Sequence, residues 1–223
     1  MYPSNQEGRT GHHPGAELLM DYAAGSLPEP LALLVATHAS ICRACQSEIG
    51  RWEALGGAML ETLEEDRVEA ESLDRMMARL EAAGAPEREA RPAPRRDPVV
   101  PRPLSDYLGG DLASLAWKKR GSLSEVAVLP DQAGFKTRLY RIRPGAAMPQ
   151  HTHEGREYTL LLAGGFSDET GHYLRGDVAA VDSSVDHRPV ADPGADCLCL
   201  AVTDAPLRLT GPFGRFLNPF ARL

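Results

Sequence analysis

Residues His38-Ala39-Ser40-Ile41-Cys42-Arg43-Ala44-Cys45 read H-x-x-x-C-x-x-C. An imidazole and two thiols this close are soft donors at the spacings that metal sites use. Cys42 and Cys45, three apart, share one face of a helical turn. His38, four residues earlier, can be aimed at the same point by a short turn. Tetrahedral zinc takes four ligands, so one more must come from elsewhere, and the only upstream histidines are His12 and His13. A C-x-x-C alone also fits a redox pair, or two buried small hydrophobes. The added histidine favours metal. Four protein ligands close a site, which makes it structural rather than catalytic.

A second set of donors lies in the other half of the chain, as Gly145-x5-His151-x-His153-x3-Glu157-x6-Gly164, with His187 following Gly176-Asp177-Val178. His151 and His153, two apart on a strand, point to the same side. Three imidazoles and a carboxylate suit zinc or another divalent transition metal. Cys197 and Cys199 are also two apart on a predicted strand, so both face one way; packing and a redox-sensitive pair are the two readings. His172 falls outside the pattern and reads as a surface residue.

The elements that must hold these residues differ between the halves. Ala16 to Ala24 reads as a short helix ending at Gly25, with His13 at its entrance. Pro28 to Ala39 reads as a second helix, proline being tolerated near its start. Ile41 to about Asp66 reads as a third, with Cys42 and Cys45 in its first turn, where the helix N-terminus favours thiolate. Ser72 to Ala83 reads as a fourth, with Leu73, Met76, Met77 and Leu80 on one stripe. Such a stripe is either core or, being rich in Met and at the edge of a small domain, an adaptable docking face. Four short helices bury little, so a zinc tying them together would contribute much of their stability.

Residues 84–103 contain six prolines in twenty and read as an extended, mobile linker in which helix is forbidden. Beyond it come short apolar runs separated by Gly and Pro: 124–129, 136–142, 158–163, 178–181 and 197–202. The fold class is thus α+β multidomain: a helical domain over 1–85, a linker over 86–103 and an all-β domain over 104–223.

The 223 residues carry a net charge of −7 and 43% hydrophobic residues, enough for a core. The acidity is concentrated in residues 1–85, with 6 Lys/Arg against 14 Asp/Glu. An acidic domain repels phosphate, which argues against direct nucleic-acid binding and suits a basic protein partner. No apolar run approaches the length of a membrane span, and Met1 to Gly11 lacks the apolar stretch of a secretory signal. Cysteine usage fits a reducing compartment, the cytoplasm.

A histidine 25 residues before H-x-x-x-C-x-x-C, in a small acidic helical domain, resembles the zinc-containing anti-sigma domain over residues 10–85. The resemblance implies His13, His38, Cys42 and Cys45 as zinc ligands, with His12 as the alternative to His13. It also implies that this domain grips an extracytoplasmic-function sigma factor. Residues 104–215 resemble the cupin family, a β-barrel of the jelly-roll type. The first cupin motif is matched at every fixed position, implying His151, His153, Glu157 and His187 as metal ligands. The second is matched only at Gly176 and His187, with Asp182, Ser184 and Ala191 where Pro, Gly and Asn are usual. The two together resemble the ChrR type of anti-sigma factor. That resemblance implies a sigma-factor inhibitor whose cupin serves the response to singlet oxygen or related oxidants. The rival class is a metal-dependent cupin enzyme of dioxygenase or isomerase type, with the zinc domain regulating it.

Overall fold

The computed structural model describes residues 11–84, 97–132 and 134–211. The first three helices, α1 (Ala16–Ala23), α2 (Glu29–Ala39) and α3 (Arg43–Leu60), surround a very small core of Leu19, Val35, Cys42, Cys45 and Ile49. Two of those five residues are the cysteines of the motif. Helix α1 stops at Gly25, whose φ of 70° is left-handed and ends the helix without a Cβ penalty. Helix α2 takes Pro30 in its first turn, where a missing N–H costs nothing. Helix α3 is shorter than the 41–66 expected. Cys42 is its extended N-cap, and the acidic run Glu64-Glu65-Asp66 lies past its C-terminus, where negative charge opposes the helix dipole. Helix α4 (Ser72–Ala83) forms as the apolar stripe predicts, yet buries none of its residues.

The remainder is antiparallel. Strands β1 (Lys118–Arg120), β2 (Leu123–Ala127), β3 (Lys136–Ile142), β4 (His151–His153), β5 (Glu157–Ala163), β6 (Gly165–Asp168), β7 (Gly171–Leu174), β8 (Val178–Val181), β9 (Val190–Ala191), β10 (Cys197–Thr203) and β11 (Leu207–Leu209) follow in order. They make a six-stranded sheet β1-β2-β3-β10-β5-β8, a three-stranded sheet β7-β6-β9 and the pair β11-β4. The five runs read from sequence correspond to β2, β3, β5, β8 and β10. The short strands β1, β6, β7, β9 and β11 lack a long enough apolar alternation to be seen that way.

Side-chain alternation on the large sheet separates two cores. Leu160, Leu162, Leu198, Leu200 and Val202 face one side, where they pack with Leu33 and Leu34 of α2 and with Val100 and Leu104. Leu161, Cys197 and Cys199 face the other, against Phe166 and Tyr173 of the small sheet. The helical part is therefore in contact with the sheet: α2 covers its outer face. Tyr107 extends this contact by donating to Glu29 Oε1 at 3.0 Å.

The proline-rich stretch is more structured at its end than composition predicts. Helix α5 (Arg102–Leu108) begins inside it, with Pro101 as N-cap and Pro103 in the first turn. Proline forbids only the helix interior, and both prolines here precede the first N–H the helix needs. Val100 is buried in the outer core. The expected mobile portion, residues 85–96, lies outside the described residues.

Candidate metal centres

The N-terminal donors meet at the junction of α1, α2 and α3. The amides of Cys42 and Ile41 both donate to the His38 carbonyl, at 2.9 and 3.0 Å, so α2 turns directly into α3 and brings His38 back over Cys45. His38 Nε2 lies 3.2 Å from Cys45 Sγ. His13 Nδ1 lies 3.4 Å from Cys42 Sγ and 3.4 Å from Cys45 Sγ. One donor atom from each of the four residues falls within 4.8 Å of all the others. His12 faces away: its ring packs at a tilt against Tyr173, with centroids 4.5 Å apart. Of the two adjacent histidines, the chain presents His13 to the cysteines.

The chemistry of this donor set fits a soft cation. His38 Nδ1 is 2.9 Å from the carbonyl oxygen of Gly176, which can only accept. The proton is thereby held on Nδ1 and the Nε2 lone pair is left for a metal. Burial, with His13 as a further cause, lowers the His38 pKa to about 4, so the ring is neutral at physiological pH. The Cys45 thiol goes the other way. Burial, then Cys42, push it up to about 12, overriding the thiolate preference expected at a helix N-terminus. A divalent cation at the meeting point reverses that balance, since a coordinating thiol is deprotonated outright.

The second set converges inside the barrel. His151 and His187 are bonded through their backbones, each N–H to the other's carbonyl at 3.0 Å. His153 follows two residues later on β4, which β11 holds from the other side. His187 Nε2 lies 3.2 Å from both His151 Nε2 and His153 Nε2. His151 Nδ1 donates to the Pro149 carbonyl at 2.8 Å, and His187 Nδ1 donates to Asp168 Oδ2 at 2.7 Å. Both bonds put the proton on Nδ1 and turn an Nε2 lone pair inward, the arrangement of a metal-ligating imidazole. Burial, opposed by the Pro149 bond, lowers the pKa of His151; burial and then His187 lower that of His153 to about 4.

Glu157 does not join this triad, and the ligand group the structure brings together is His151, His153 and His187. Its Oε2 lies 3.9 Å from His153 Nδ1, the ring nitrogen that points away from the triad and has no hydrogen-bond partner among the described residues. Its Oε1 accepts from Thr159. Glu157 also lines an open cleft of about 360 Å³ with Arg138, Tyr140, Thr203 and Leu207. The turn before His187, where the second cupin motif departs from the usual residues, is held by Asp182, which accepts from Ser184 N and Ser184 Oγ.

Asp168 is the functional residue that sequence reasoning missed. It is buried against His187, and Thr170 also donates to it. Burial raises its pKa, but the bonds from His187 and Thr170 outweigh this and leave it below the ordinary carboxylate range. Its signal was the turn Asp168-Glu169-Thr170-Gly171, which marks a hairpin rather than a ligand.

Cys197 and Cys199 are buried in the inner core. The Cys199 thiol is held well above its usual range by the bond with Cys197 and by burial. Leu73, Met76, Met77 and Leu80 of α4 are 49–69% exposed, and Leu55, Met59, Leu60 and Leu63, on α3 and just after it, are exposed as well. His172 is exposed and pairs with Asp192 at 2.8 Å. No helix among the described residues is long and apolar enough to cross a membrane.

Residues 108–206 match the family described as the ChrR cupin-like domain. Over 214 residues the chain is 41% identical to the anti-sigma-E factor ChrR of Cereibacter sphaeroides, covering 95% of this chain and 98% of that protein. It is also similar to a chain in the crystal structure of Rhodobacter sphaeroides SigE in complex with the anti-sigma ChrR. The TM-score is 0.77 and the identity 38%, over 88% of this chain and all of that one.

Proposed function

The chain belongs to the family of the ChrR anti-sigma factors, and from that premise we propose that it binds and inhibits an extracytoplasmic-function sigma factor through its N-terminal helices. The role is regulatory rather than enzymatic. The observation that carries the reading is the apolar surface of α4 and of the end of α3. Eight large apolar side chains, Leu55, Met59, Leu60, Leu63, Leu73, Met76, Met77 and Leu80, stand exposed within twenty-six residues. A row of that kind marks a protein-binding surface, and its methionines can repack against a partner. The acidic surroundings complement a partner that is itself basic where it approaches polymerase or DNA.

His13, His38, Cys42 and Cys45 would hold a zinc ion that keeps α1, α2 and α3 together and so sets where α3 leads the apolar row. His151, His153 and His187 would hold a divalent transition metal, with Asp168 fixing the His187 imidazole from outside. We assign to the barrel the control of release under singlet oxygen or related oxidants, in the cytoplasm. Burial of Cys197 and Cys199 makes the histidine triad the stronger candidate for the responsive part, because covered thiols react slowly.

The test is transcription by polymerase holding a cognate sigma factor of this class, with the full chain titrated in. Inhibition should reach completion at one chain per sigma factor. The variant carrying Leu73→Glu and Met77→Glu should lose it, and the His187→Ala chain should inhibit normally but fail to let go on exposure to singlet oxygen. A chain that leaves transcription untouched at any ratio would refute the reading.

A further inference from the structure

The barrel reaches the N-terminal donor cluster at the turn between β7 and β8. Gly176 O holds His38 Nδ1 at 2.9 Å. The next residue, Asp177, is buried, and its Oδ1 accepts from the amides of Gly11 at 2.7 Å and His12 at 3.1 Å. Its Oδ2 accepts from Leu174 N, within the turn itself, at 2.8 Å. Val178 N then donates to the His12 carbonyl at 3.0 Å. Tyr173 covers the His12 ring. Residues 11 and 12 are thus held on both backbone faces by two consecutive barrel residues, and residue 13 is the metal donor.

We propose that the Gly176–Asp177 turn is an outer shell of the N-terminal metal site: the barrel positions two of its four donors. The physical case rests on what each contact fixes. His13 precedes α1 and lies outside the helices, and its ring reaches Cys42 and Cys45 from that lead. The Asp177 carboxylate, by gripping two successive amides next to it, sets the direction in which the following side chain leaves the chain. Gly176 does the matching task for His38, because a carbonyl on Nδ1 fixes both the ring's tautomer and its rotation. The turn can offer that carbonyl because Gly176 has a φ of 95°, a conformation that side-chain-bearing residues rarely adopt. Outer-shell partners of this kind alter metal affinity by roughly 10–100-fold when removed. The zinc site then reports whether the barrel is docked, and a barrel that shifts its β7–β8 turn loosens two ligands at once. Asp177 is in this sense a positioning residue for a metal it does not touch.

This rests on the reading of His13, His38, Cys42 and Cys45 as a metal site, and the experiment separates the two. Full-length protein is titrated with cobalt(II) against a competing chelator. Only a site with thiolate ligands gives the sulfur-to-cobalt charge-transfer absorption, so the N-terminal site is read without interference from the barrel's imidazoles. Bound cobalt per chain, measured by elemental analysis, follows the barrel site. Asp177→Ala should weaken the thiolate-band affinity by about 10–100-fold while the barrel keeps its metal. Gly11→Pro, which deletes one amide donor and leaves the barrel sequence intact, should weaken it in the same direction. If Asp177→Ala also empties the barrel, Gly11→Pro decides alone. Wild-type affinity in Gly11→Pro, or in both variants, overturns the proposal. A wild-type chain with no thiolate band overturns the metal reading itself, and this proposal with it.

Discussion

His151, His153 and His187 reach their meeting point from backbones that are already paired. His153 is opposite Leu207 and His151 opposite Leu209, and His151 and His187 bridge directly. His13, His38, Cys42 and Cys45 come instead from a non-helical lead, the last turn of one helix, an N-cap and the first turn of another. The core they share holds only three further buried residues, Leu19, Val35 and Ile49. The barrel would exist around its triad whether or not a cation sat there, because the sheet and two apolar cores support it. Helices α1 and α3 have no comparable support, and the cysteines are a large part of the little core they share with α2. A metal at the triad would be an occupant of a fold; one among the helices would be a component of it.

Stripping both metals should therefore produce unequal damage, and this is the largest effect expected. A structural zinc contributes on the order of 10 kcal/mol or more, comparable to the whole stability of a small domain. Hydrogen exchange on the chelated full chain should show α1 and α3 losing protection, while β3, β5 and β10 keep theirs. Helix α2 should be intermediate, since Leu33 and Leu34 are anchored in the outer core. Equal protection of α1 and α3 before and after verified metal loss would break the contrast.

The contrast sharpens when carried to the apolar row. Cys45→Ser should remove both zinc and sigma-factor capture. Leu73→Glu with Met77→Glu should remove capture and nothing else, because both side chains are exposed. Exposed substitutions of this kind stay within about 0.5 kcal/mol of neutral, whereas interface anchors cost about 2 kcal/mol or more each. Calorimetric binding and thermal unfolding on the same samples separate the two. A lowered unfolding temperature in the α4 variant would mean that the stripe packs against the domain rather than a partner.

Much of this was legible in the residues. Cysteines and histidines at fixed spacing declare a metal because few other chemistries need them there, and six of the seven donors that meet in the two clusters were readable that way; His13 came from the resemblance, with His12 left open by spacing alone. The five strands with long apolar runs were legible for the same reason that they form: β10 is buried on both faces, so nearly every residue in it is apolar. Three things were not. Glu157 occupies a ligand position in the motif, but its carboxylate turns to the back of His153, a rotamer choice no spacing encodes. Asp168 is a turn residue by composition and becomes an imidazole partner only through the pairing of β6 with β7 and β9. The docking of the helices onto the barrel is made by Leu33 and Leu34, by the Gly176–Asp177 turn and by Tyr173, whose partners no spacing in the sequence names.

Proton release gives a further way to tell the sites apart. The Cys45 thiol, pushed up to about 12 by burial and then Cys42, is protonated at neutral pH and must lose its proton to bind metal. Over the window from about pH 6 to about pH 8 its contribution should raise apparent affinity about tenfold per unit. His153, lowered to about 4 by burial and then His187, has no proton to release in that window, and His151 is lowered by burial as well. Cobalt titrations across the range should therefore give a steep rise in the thiolate band and a shallow one for the barrel site. Parallel slopes would show that the two sites are chemically closer than their ligands suggest.

The smallest effect expected concerns whether the two sites are independent at all. Between them runs a short series of contacts: His187 Nδ1 to Asp168 at 2.7 Å, Asp168 to Thr170 Oγ1 at 2.5 Å, Thr170 Oγ1 to the Tyr173 hydroxyl at 2.8 Å, and the Tyr173 ring onto His12. Spatial continuity of this sort does not by itself carry coupling; the two ends must bias one another's free energy. A cycle made from His187→Ala and Tyr173→Phe measures that bias, because the second change removes one hydroxyl and keeps the ring that covers His12. If the hairpin transmits, His187→Ala should weaken the cobalt–thiolate affinity by about 0.5–1 kcal/mol in the native background and by less when the hydroxyl is gone. Additive changes in the two backgrounds would leave the barrel turn as a fixed support for the zinc site, unresponsive to what the triad holds.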